Sequence, residues 1–200
     1  MDSWTIWEEA AGDKEAGRKW RFEYLKITYG CGAYRSYETL VEEAAVAAGF
    51  NRSLADELQK RWHTLRGWPE SLQVLTELKK EYRLGVVTNC SENLGRQAAA
   101  QMGVDFDVVV TAAQAGFYKP DPRPYELALK LAGVKADEAI FVAGSAYDML
   151  GTSKVGLATI WHNRIGMAKP EGIPSPMLVI SSLDQLPKAI ADYEAGLIRA

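Results

Sequence analysis

Three short segments carry side chains able to handle a small anion: VVTNCSE (86–92), FYKPDPRPYEL (117–127) and FVAGSAYDMLG (141–151). Thr88 and Asn89 follow an apolar run, so their hydroxyl and amide can donate to an anionic group while the next helix turns its amino end toward the same point. An ordinary helix cap is the other reading. Lys119 stands immediately before Pro120, Asp121 and Pro122, where Asp121 can cap a helix and Pro122 fits its first turn. A cation there is either fixed by a rigid helix start or solvated at the surface. Asp148 opens a helix after Gly144 and Ser145, and an aspartate in that place is more often a cap than a catalyst. The three segments in this order are more specific than any one of them.

The elements that must position them change character near residue 67. Before it the pattern is helical: about 14–28, then Ser36 to Ala48 with Gly49 as a stop, then Leu54 to Leu65 after a Ser53 cap. Beyond Gly67-Trp68-Pro69, apolar β-branched runs alternate with helical stretches. Strands are predicted at 84–88, 107–111, 139–143, 158–161 and 178–180, and helices start near Ser71, Glu92, Pro122, Asp148 and Asp184. This alternation predicts an α/β fold with a Rossmann-like parallel sheet covered on both faces. A mostly helical cap subdomain is expected over 1–67 and the α/β core over 68–200. In such a sheet, chemistry collects beyond the carboxyl ends of the strands, where all three segments lie.

Composition narrows the partners. The 200 residues are 48% hydrophobic and 24% charged, enough for one sizeable core, and the net charge of -3 has no basic stripe to track phosphates. Nucleic acid is not expected as a partner. No apolar run approaches the roughly 18 residues of a membrane span and the start has no leader pattern, so no membrane partner and a cytoplasmic location are expected. Cys31 and Cys90 give no disulfide framework and read as reduced thiols. His63 reads as a helix-surface residue, while His162, after the last long strand, could touch a substrate or simply pack. Six tryptophans and nine tyrosines suggest an aromatic wall on the cap, or core and dimer packing.

With these segments in view, the chain resembles the haloacid dehalogenase superfamily, and within it the (S)-2-haloacid dehalogenase branch, from WRFEYL (20–25) to GLATIWHNRIG (156–166). Thr88 and Asn89 resemble the second family motif, Tyr118 to Asp121 the third, and Tyr125 a tyrosine that follows it. Arg21 matches the cap arginine implicated in halide capture. The resemblance implies hydrolysis of small 2-haloacids through an aspartyl ester, with no metal or other cofactor, and a homodimer acting on a small anionic substrate. Lys119 would hold the nucleophile ionised, and Thr88 and Asn89 would meet the substrate carboxylate. Asp148 would orient the hydrolytic water, Tyr125 would support the lysine side, and Ser145 would contact substrate.

Several positions depart from the family pattern, Tyr147 among them, where a tryptophan is common. Ala143 and Ser145 replace a serine and an asparagine, and Gly144 stands where the superfamily's phosphatases keep the first of two magnesium-binding acids. The first motif, Asp-x-x-Gly-Thr-Leu on the opening core strand, has no counterpart; Met1-Asp2-Ser3 resembles its tail. The chain is therefore expected to begin about a dozen residues late, leaving two inner strands with unpaired backbone groups. A non-catalytic interaction protein and a phosphatase acting on a small metabolite are the alternatives.

Overall fold

The computed structural model describes residues 1–199. Its first half is helical: α1 (Thr5–Ala11), α2 (Lys14–Cys31), α3 (Tyr37–Ala47) and α4 (Leu54–Arg61). Asp13 caps α2, its Oδ1 accepting from the Ala16 N–H at 2.8 Å, and Ser36 caps α3 through the Thr39 N–H at 3.4 Å. Two boundaries differ from expectation. α2 continues to Cys31, three residues further, and α4 ends at Arg61 before a 3-10 turn over Trp62–Thr64. The Trp62 indole donates to the Leu94 carbonyl at 2.8 Å, a tertiary bond that fixes the chain where the helix tightens.

α1 was not expected, because its Trp and β-branched residues are indifferent helix formers. Local and tertiary contacts hold it. Asp2 Oδ1 accepts from the Trp4 and Thr5 N–H groups at 3.1 and 3.3 Å, and the Trp7 ring meets Trp20 of α2 at 4.6 Å. Gly17 lets the two helices touch, since a Cβ there would overlap the backbone of Trp7 and Glu8.

The second half runs α5 (Ser71–Leu78), β1 (Gly85–Thr88), α6 (Glu92–Ala100), β2 (Val108–Thr111), α7 (Ala112–Ala115), α8 (Arg123–Ala132), β3 (Ile140–Ala143), α9 (Met149–Val155), β4 (Ala158–His162), β5 (Leu178–Ile180) and α10 (Leu186–Glu194). All five predicted strands are present and every pairing is parallel. The pairing falls into two groups, β1 with β2, and β3 with β4 with β5; among the described residues β1 and β3 do not pair with each other. β4 is buried at every position, whereas β1 is exposed or half-exposed throughout. The largest apolar cluster joins the helical half to the strand half, running from Trp7, Trp20 and Leu58 to Leu94, Ala98 and Tyr118. No described helix is long and apolar enough to cross a membrane.

Candidate active site

The carboxyl ends of β1 and β3 open into a cleft of about 460 Å³. Arg21, Thr88, Asn89, Lys119, Ser145 and Asp148 all line it. Tyr125, the seventh residue singled out, stands behind Asp148 and donates its hydroxyl to Asp148 Oδ1 at 2.6 Å. The same carboxylate oxygen meets Lys119 Nζ at 3.1 Å, and with side chains only 16% and 7% exposed this is a buried ion pair. Burial, and then the charge of Asp148, hold the Tyr125 hydroxyl far above the ordinary tyrosine range, so it remains a donor to the carboxylate.

Lys119 is placed through its backbone. Asn89 Oδ1 accepts from the Lys119 N–H at 2.7 Å and Asn89 Nδ2 donates to the Lys119 carbonyl at 3.0 Å. The end of β1 and the segment leading into α8 are thereby joined by one side-chain amide. Thr88 Oγ1 lies 3.4 Å from Cys90 Sγ, and burial pushes the Cys90 thiol up to about 11, which keeps it protonated and out of nucleophilic chemistry.

Arg21 is the second cation. One terminal nitrogen donates to the Ser3 carbonyl, the guanidinium lies 4.3 Å from the Trp4 ring centre, and Nε is buried with no partner. Burial lowers its pKa, yet an arginine stays charged in proteins, so the cleft keeps a cation with unused donor capacity.

Two tyrosines outside the predicted set reach the site from α2. Tyr24 donates to the Asn89 carbonyl at 2.8 Å, and Tyr29 donates to Ser145 Oγ at 2.8 Å. Burial and the charge of Asp148 raise the Tyr29 hydroxyl to about 12. Arg21, Tyr24 and Tyr29 are spaced three and eight residues apart on one helix, a same-face spacing that was available in the sequence. Trp4, Trp7, Tyr24, Tyr29 and Trp68 line the cleft, and Trp7 and Trp20 also pack the core.

His162 ends β4 and lines the cleft with Nε2 buried and unpartnered. His63 is exposed, as expected of a surface position. Cys31 and Cys90 are free thiols.

Residues 5–162 match the haloacid dehalogenase-like hydrolase family. The chain belongs to that family. Among curated relatives, (S)-2-haloacid dehalogenase 4A of Burkholderia cepacia is 30% identical over 118 residues, 58% of this chain but only 51% of that protein. (S)-2-haloacid dehalogenase 1 of Pseudomonas sp. (strain CBS-3) is 26% identical over 88% of this chain and 83% of its own length. N-acylneuraminate-9-phosphatase of Homo sapiens is 30% identical over 79% of this chain and 67% of its own. A solved dehalogenase superposes with TM-score 0.76 at 25% identity, covering 88% of this chain and 83% of that one.

Both dehalogenases and phosphatases therefore stand among the relatives of this haloacid dehalogenase-like hydrolase. Magnesium asks for near-octahedral oxygen ligation. The residues present do not fit it. Asp148 is the one carboxylate lining the cleft, it is engaged by Lys119 and Tyr125, and Gly144 offers no side chain. Among the described residues no group of three His, Cys, Asp or Glu side chains could close round an ion.

Proposed function

We propose that this hydrolase cleaves the carbon–halogen bond of small 2-haloacids, through a carboxylate ester that water then hydrolyses. The observation that carries the reading is a cleft lined by the half-buried cations Lys119 and Arg21 and by a single carboxylate, Asp148, which Lys119 pairs. Such a cleft favours a small anion, and it suits displacement at carbon better than transfer of a phosphoryl group, whose developing charge calls for a metal clamp. The substrate carboxylate would lie against Thr88, Ser145 and Lys119. The free Nε of Arg21 would receive the halide as it leaves with the bonding electron pair. Asp148, held by Tyr125, would orient the water that splits the ester to a 2-hydroxyacid and restores the attacking carboxylate. Asn89, Tyr24 and Tyr29 position this set through their bonds to Lys119, Asn89 and Ser145.

Asp148 is already engaged by Lys119 and Tyr125, so it is read as the group that orients water rather than the one that forms the ester. The test is chloride release from (S)-2-chloropropionate by two proteins, the 200-residue chain and the same chain preceded by an apolar strand ending in Asp-x-x-Gly-Thr. Release by the extended protein and binding without release by the shorter one is the expected result. No release by either sinks the dehalogenase reading. If both still bind the haloacid, the lone lining carboxylate favours a non-catalytic binding protein instead.

A further inference from the structure

A serine hydroxyl has two acceptor sites and one proton to give. On Ser145 both acceptor sites are taken. The Tyr29 hydroxyl of α2 donates to Ser145 Oγ at 2.8 Å, and the Tyr147 N–H donates to it at 3.3 Å as the chain turns toward Asp148. What stays free is the proton of Ser145, in a cleft whose other donors are the cations Lys119 and Arg21.

The protonation of Tyr29 sets the direction of that bond. Burial, and then the charge of Asp148, raise its hydroxyl to about 12, so the phenol keeps its proton. Ser145 Oγ is the one acceptor this proton meets among the described residues. A bond running the other way would strand the proton without a partner, which polar groups out of water avoid. Tyr29 is also held in place. Its ring centre lies 4.7 Å from that of Tyr147. Just beyond α2, the Tyr118 N–H donates to the Gly32 carbonyl at 3.0 Å and the Tyr34 N–H to the Gly116 carbonyl at 2.8 Å, so the end of the helix is tied to the segment that carries Lys119.

We propose that Tyr29 is a positioning residue for substrate selection: by filling an acceptor site of Ser145 Oγ it turns the Ser145 O–H into the cleft as a fixed donor, which favours a carboxylate over the corresponding carboxamide. The role rests on the functional reading above, which lays the substrate carboxylate against Ser145. A carboxylate offers an acceptor to this donor in either orientation, whereas a carboxamide does so in one of two and otherwise sets its NH2 group against another donor.

The test is a double-mutant cycle on binding to the full chain, with (S)-2-chloropropionate and (S)-2-chloropropionamide as ligands. Ser145→Ala should weaken binding of the acid about tenfold, the loss of one charge-assisted bond. Tyr29→Phe, which keeps the ring beside Tyr147, should weaken it about threefold, because the freed hydroxyl spreads over about three staggered positions. The same variant should bind the amide more tightly than wild type, because Oγ regains an acceptor site. The double variant should bind the acid no worse than Ser145→Ala. In Ser145→Thr, which retains a hydroxyl, Tyr29→Phe should cost as much as it does in wild type. A role in packing alone gives the opposite pattern: acid and amide weaken together, or the two losses multiply in the double variant. Either result overturns the proposal, as does a wild-type chain that binds the acid no better than the amide. Non-additive losses beside a failed chloride-release test leave Tyr29 in its role and count against the dehalogenase reading. Multiplied losses beside a successful one do the reverse.

Discussion

One amide, that of Asn89, satisfies both backbone hydrogen-bonding groups of Lys119, accepting at 2.7 Å and donating at 3.0 Å. The cation that faces Asp148 is therefore aimed by its main chain, and a residue one strand away sets the aim. Asn89→Ala removes both bonds and should cost about 2 kcal/mol. Asn89→Asp should cost at least as much despite its equal size, since it sets an acceptor against the Lys119 carbonyl. Urea midpoints check both, and an Asp variant as stable as wild type would refute the two-bond clamp.

The Lys119–Asp148 pair gives a sharper contrast. Lys119→Met leaves a carboxylate of 7% exposure with only the Tyr125 hydroxyl, and breaking a buried pair in this way costs about 3–5 kcal/mol. Asp148→Asn in the same protein removes the stranded charge. The double variant is expected to recover most of the lost stability while binding no haloacid, which denaturation and ligand titration would measure side by side. Equal stability of single and double variants would mean the carboxylate is not buried.

The strands were legible because Val-Val-Val and Ile-Phe-Val runs bounded by turn residues have one economical solution, a parallel sheet between helices. Ser36 and Gly49 marked α3 for the same local reasons. α1 was not legible, since what holds it is the close approach at Gly17 and the Trp7–Trp20 contact, both of them tertiary. At the site, residue types beyond the strand ends picked out Thr88, Asn89, Lys119 and Asp148, and the family resemblance added Arg21 and Ser145; all six line the cleft. The partners were hidden: nothing local says that the Asn89 side chain turns to Lys119, or that Tyr24 and Tyr29 cross from α2 to Asn89 and Ser145.

His162 supplies a pH dependence. Burial first, then the N-terminal amine and Arg164, lower its folded pKa below the ordinary 6.5. As pH falls through 6.5 the unfolded chain takes up a proton that the folded one refuses, so stability declines from that point down to the folded pKa and is undiminished above it. Folding free energy measured from pH 7.5 to pH 5 should fall less steeply in His162→Gln than in wild type. Parallel curves would show that this imidazole is solvated after all.

Gly151 of α9 carries the last prediction. A Cβ there would overlap the Pro120 carbonyl and the Tyr125 ring, whereas a Cβ on Gly144, on the open side of the same site, meets nothing within 4 Å. The two glycines flank Asp148 in the chain and differ sharply in the space round them. Gly151→Ala must push back either the backbone beside Lys119 or the tyrosine that holds Asp148, an overpacking cost of about 1–3 kcal/mol. It should also weaken haloacid binding, because at least one partner of Asp148 must shift. Gly144→Ala should stay within about 0.5 kcal/mol of wild type and keep its affinity. Thermal unfolding and ligand titration of the pair decide it: if the two variants behave alike, α9 does not press on the site from behind.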